Sequence, residues 1–180
     1  MKLYIGASVT VDTLIFSEVV KFYIGKPYSH VYIRYQDPFT KQEIVSESSH
    51  GEAHKMTLSK WYLSNRIVEE YEIEVSEEVF RAILTNINNR LQASYSELNI
   101  IGMPFYDMAA YCNSPFFMRL FTKLFADGVD STICSESAAF TLSLLGIQFN
   151  RPNDFVRPDH VINALEKAAR SEDYIKKVTI

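Results

Sequence analysis

Two residues able to run acyl-transfer chemistry stand far apart in this chain. One is Cys134, in Asp130-Ser-Thr-Ile-Cys-Ser-Glu136, and the other is His30, in Pro27-Tyr-Ser-His-Val-Tyr-Ile33. Cys134 lies where small polar residues give way to Ala138, Ala139, Leu142 and Leu145 at helical spacing, with Gly146 as a C-cap. At a helix start, unpaired backbone N–H groups and the positive end of the macrodipole favour a thiolate. An imidazole can take the thiol proton, and this pair drives cysteine hydrolases and acyltransferases. Taken alone, a cysteine opening a helix is more often an inert packed thiol than a nucleophile, so the reading turns on what else reaches it.

The third group comes from a hairpin. His30 to Tyr35 reads as a strand, Asp37 to Lys41 as a turn, and Glu43 to Ser48 as a returning strand. A register setting His30 opposite Glu47, Tyr32 opposite Val45 and Arg34 opposite Glu43 puts all six on one sheet face. It also pairs the charges of Arg34 and Glu43. Glu47 would then orient the His30 ring, fix its tautomer and stabilise the imidazolium. A slip by one residue would present Ser46 or Ser48 instead. Glu136, in the first turn after the cysteine, complements the helix dipole. Cys112 has no basic partner or helix start and reads as structural.

These residues need a scaffold, and periodicity supplies one. Leu3 to Ala7 reads as a strand, and Asp12 can cap a helix running to about Tyr23. Leu58 to Tyr62 is a short helical turn, and Arg66 to Val75 a strand. Ser76 opens a helix to about Leu91, with Val79, Phe80, Ile83, Leu84, Ile87 and Leu91 on one face. Leu98 to Gly102 is a short apolar segment, and Asp159 to Arg170 a last helix. Phe116 to Phe125 is an amphipathic helix with Arg119 and Lys123 opposite its apolar face. That face reads as core packing. A wall of an acyl-binding cleft and a membrane-surface contact are the alternatives, and shortness with only two basic residues weighs against the last. A few antiparallel strands with segregated helices indicate an α+β fold.

Composition narrows the function. The 180 residues fit one domain, 1–180, with a substantial core, and no repeat or linker divides them. A formal charge of −4 without a basic stripe gives no reason to expect nucleic acid. Two cysteines are too few for a disulfide framework. His50 and His54 lie four apart, but Ser48 to His54 reads as strand end and loop without a third ligand, so no metal site is expected. No apolar run reaches a membrane span. Met1 to Ser8 lacks the long apolar run of a secretory signal, which makes the cytoplasm the expected location.

The order of these motifs resembles the circularly permuted branch of the papain-like NlpC/P60 superfamily, in which the histidine strand precedes the cysteine helix. The matching stretches are Tyr28-Ser-His-Val-Tyr-Ile33, Ile44-Val-Ser-Glu-Ser-Ser49 and Ile133-Cys-Ser-Glu-Ser-Ala138, with Leu98 to Gly102 and Arg151 to Phe155 as further landmarks. The resemblance covers residues 1 to 160. It implies a papain-like fold with a small antiparallel sheet against helices, and the triad Cys134, His30 and Glu47. The implied activity is cleavage of an amide or ester through a thioester, without a cofactor, on a peptide, amide or lipid-ester substrate. Acyl transfer on the same triad is the alternative, as is a non-catalytic member binding a peptide, lipid or protein. Many bacterial members are exported, whereas no export signal is read here, so a cell-wall substrate does not follow.

Overall fold

The computed structural model describes residues 1–11, 15–49, 52–91, 94–95, 97–125 and 131–179. Six strands form an antiparallel sheet in the order β4-β3-β2-β1-β5-β8. They are β1 (Lys2–Thr10), β2 (His30–Gln36), β3 (Glu43–Ser49), β4 (Glu52–Thr57), β5 (Asn65–Glu74) and β8 (Ile175–Lys177). Two-residue strands β6 (Ser94–Tyr95) and β7 (Ser131–Thr132) extend the sheet beyond β4, the last pair parallel. The helices are α1 (Ile15–Ile24), α2 (Leu58–Trp61), α3 (Glu77–Asn89), α4 (Glu97–Tyr111), α5 (Pro115–Phe125), α6 (Cys134–Leu144) and α7 (Pro158–Ala168). The α+β class read from the sequence is the architecture observed.

Alternation along the strands builds two unlike layers. On one sheet face Leu3, Ile5, Val31, Ile33, Tyr71 and Ile73 form a core with residues of α3, α6 and α7. Burying each large apolar side chain there contributes about 1.5–3 kcal/mol. The α3 stripe is the expected one, with Phe80, Ile83 and Ile87 buried, and the Ser76 hydroxyl caps the helix by accepting the Val79 N–H at 3.2 Å. The opposite face carries a smaller cluster of Tyr32, Val45 and Trp61, set among buried charges. Gly6 makes this layer possible, because a Cβ there would lie 2.5 Å from the Tyr32 hydroxyl and 2.8 Å from the Glu69 carbonyl oxygen.

Several expectations are corrected. The β2–β3 register is displaced by two residues along β3: Arg34 faces Val45, not Glu43, and Gln36 faces Glu43. The turn is the cause. The Asp37 carboxylate accepts the Phe39 and Thr40 amides at 2.9 and 2.8 Å, and the Asp37 amide closes on the Gln42 carbonyl at 2.8 Å. This loop is longer than the expected register needed, with Lys41 at φ 60°. A displacement of two keeps every side chain on its face, so Arg34 still reaches Glu43 diagonally at 2.8 Å.

His54, read as loop, lies within β4. Leu98 to Gly102, read as a short segment, belongs to the fifteen-residue α4, which continues through Pro104. The α5 apolar face, read as core packing, buries none of its residues. Strand β8 pairs with β5 and was not read from the sequence. The proposed Asp12 cap and His50 fall outside the described residues.

Candidate active site

The β2–β3 ladder runs from Gln36–Glu43 to Ile33–Ser46. Beyond it β3 stays paired with β4, Glu47 facing His54 and Ser48 facing Ala53, while β2 stays paired with β1, Ser8 facing His30. The strands therefore part just where His30 and Glu47 lie. The Val31 backbone N–H, next to His30, donates to the Cys134 sulfur. Ala138, Ala139 and Leu142 fasten α6 into the large core, which brings its first residue to this opening. Ile133, extended at φ −112° and ψ 160°, turns the chain from β7 into the helix.

Cys134 thus stands beside the backbone next to His30, and Glu47 lies diagonal to His30 and not across a ladder rung. The charge of Glu47 is felt at both Cys134 and His30. Its carboxylate is buried and held from two other sides. The Trp61 indole N–H donates to Oε2 at 2.9 Å, and His54 Nε2 lies 3.6 Å from Oε1. Burial alone would raise the Glu47 carboxyl, but the His54 and Trp61 donors, with His30 beside them, hold it below the usual carboxylate range. The Glu47 carboxylate in turn raises His54 above the ordinary histidine value.

The thiol departs from expectation. Cys134 is only 6 % exposed. Burial pushes it up to about 11, against the lowering effect of the Val31, Ser135 and Cys134 amides, with the Glu47 charge adding to the rise. Desolvation outweighs the helix start, so the resting group is a thiol rather than the thiolate read from the sequence.

A constricted cleft with a volume of only about 20 Å³ opens at Cys134, walled by Tyr23 and Ile24 of α1, Ser29, Met103 of α4 and Pro158. Glu136 is buried and paired with Arg90 at 2.5 Å, a structural tie between α3 and α6. Asp107 of α4 binds Arg151 at 2.7 Å and Arg157 at 2.5 Å, and Tyr106 stacks on Phe155 at 4.6 Å. These contacts anchor α4 against the segment after α6. His160 accepts the Arg157 amide at 3.2 Å through Nδ1, and burial lowers it to about 4, leaving it a neutral structural group. Cys112 is exposed just past α4.

Sequence reasoning missed His54 and Trp61. A usable signal was there: a second strand pairing back on Glu43 to Ser49 sets His54 opposite Glu47. Among the described residues no three of His, Cys, Asp and Glu are grouped so as to hold a metal ion. Nor is any helix among them long and apolar enough to cross a membrane. Compared with known proteins, the chain matches no family model and no curated sequence.

Proposed function

We propose that the chain is a thiol hydrolase of the permuted papain-like kind, cleaving an amide or ester in the cytoplasm with Cys134 as nucleophile, His30 as base and Glu47 as the group that orients His30. One observation supports this reading: where β2 and β3 separate, the amide next to His30 holds the Cys134 sulfur and the Glu47 charge acts on both residues, although the three are distant in sequence. Because the resting sulfur is protonated, His30 must take the proton as the sulfur attacks, not beforehand. The S–C bond forms as the carbonyl π pair moves to oxygen, which the Cys134 N–H at the head of α6 can receive. Collapse expels the amine or alcohol, which takes the proton from His30 and leaves a thioester. Water, deprotonated by His30, then releases the acid; an amine or alcohol acceptor would make the same intermediate a transferase.

The raised thiol favours one competing reading, a non-catalytic member of the fold that binds a peptide, lipid or protein. Turnover of a panel of activated esters and anilides, with and without an added amine, separates the three. Hydrolysis dependent on both Cys134 and His30 supports the proposal, and amide product formed in preference to acid supports a transferase. If wild type and Cys134→Ala turn over equally, or neither does, the non-catalytic reading stands.

A further inference from the structure

A helix apolar on all sides belongs in a core or against lipid. α4 comes close, its Asp107 being taken up by Arg151 and Arg157: Gly102, Met103, Tyr106 and Ala109 face inward and are buried, yet Ile101, Met108 and Tyr111 recur on the outer side at 52, 57 and 93 % exposure. α5 continues that surface with Phe116, Leu120 and Leu124, none of them buried. The two helices pack closely at Gly102, where a Cβ would lie 2.5 Å from the Phe125 Cβ. Aromatic contacts join their rims, from Phe116 to Phe117 at 5.4 Å, Phe117 to Phe121 at 6.0 Å and Phe121 to Phe105 at 5.7 Å. The result is one aromatic ridge in water, larger than scattered surface residues require.

We propose that this outer face of the α4–α5 hairpin docks on an anionic lipid surface. Charge selects the occupant. On α5 the exposed Arg119 and Lys123 border the exposed arc of Phe116, Leu120 and Leu124, and the helix carries no acidic residue. Two cations thus border the exposed apolar arc of α5, while the α4–α5 segment as a whole is formally neutral through Glu97 and Asp107 of α4. Apolar and aromatic side chains flanked by basic ones suit the headgroup boundary of a bilayer, where the basic groups reach anionic phosphates. A second copy is a poorer occupant, because a two-fold contact through this face would bring the same cations together. Two helices supply the area that α5 alone lacks. Docking does not depend on the chemistry proposed for Cys134.

Flotation of the full-length chain with phosphatidylcholine vesicles, alone or mixed with phosphatidylglycerol, tests this. Binding is expected to the mixed vesicles, to weaken with added salt, and to be unchanged in Cys134→Ala. Arg119→Gln and Lys123→Gln should each weaken binding about fivefold. Joint Phe116→Ser and Leu124→Ser should abolish it while leaving the urea midpoint in place, and Phe39→Ser, at a still more exposed aromatic in the β2–β3 turn, should do nothing. Equal binding to both vesicle types, or none, overturns the proposal. So does a dimer, seen by light scattering, that the Phe116→Ser and Leu124→Ser chain no longer forms.

Discussion

At the β2–β3 opening, charged groups are buried and answered; on the α4–α5 hairpin, apolar groups stand in water unanswered. Glu47 meets Trp61 and His54, and Glu70 receives Arg34 at 2.6 Å and the Tyr32 hydroxyl at 2.7 Å, with Arg34 laid 3.7 Å over the Tyr4 ring. Holding carboxylates away from water is expensive unless donors surround them. Displaying Tyr111 and Phe116 to water gains nothing for folding. Each region departs from what stability alone would favour, in opposite directions. Departures of that kind mark surfaces kept for contact with something else.

The comparison breaks first at the reacting atoms. Cys134→Ala and His30→Ala should each lower ester turnover by about 10⁴-fold or more, while thermal unfolding stays close to wild type. Retained turnover in either would remove the opening from the account.

A smaller effect is expected in the polar layer. Arg34→Ala strands Glu70 without its cation and should cost about 3–5 kcal/mol in urea unfolding. A cost below about 1 kcal/mol would mean water reaches this layer and the two regions differ less than described.

Glu47→Gln keeps the shape but loses the charge proposed to orient His30, so turnover should fall about 100-fold with substrate binding little changed. A change confined to KM would assign Glu47 to the substrate instead.

A weaker, pH-dependent signature belongs to the Glu47–His54 pair. The depressed Glu47 contributes stability above its unfolded value of 4.5, lost as pH falls through its lower folded value. The raised His54 contributes below its unfolded 6.5, lost as pH rises through its higher folded value. The pair is therefore strongest between about 4.5 and 6.5. Glu52 also raises His54. His54→Asn should accordingly lower the urea midpoint more at pH 5.5 than at pH 9, and an equal loss at both would assign His54 a packing role.

The smallest effect is expected on the hairpin. Phe116→Ser and Leu124→Ser should each change stability by less than about 0.5 kcal/mol, since neither side chain is buried. A larger loss would show the hairpin face to be part of the fold's own core.

Which of these features the chain declares in advance follows from their range. The Ser76 cap is local, written in one capping residue, and the α6 start at Cys134 in the onset of a single helical stripe. Strand alternation also assigned Glu47 to the face of His30, and that survives the two-residue displacement. The displacement itself arises in the Asp37 side chain, whose preference for accepting two amides lengthens the turn. Burial of Cys134 could not be read, because the helix dipole is local to α6 while desolvation comes from the whole fold. α5 misled for a related reason: an amphipathic stripe states that a face wants covering, not that the chain covers it. Pro104 hid α4 by breaking an apolar run that the helix nonetheless continues through.

The central claim is that the sulfur at the head of α6 carries an acyl group. Intact and peptide mass analysis of the chain quenched early in reaction with an activated ester, p-nitrophenyl acetate, tests it most directly. The account predicts one acetyl adduct, on Cys134, formed at the rate of nitrophenol release and lost in His30→Ala. An adduct confined to exposed Cys112, or nitrophenol released at the same rate by Cys134→Ala, would contradict it.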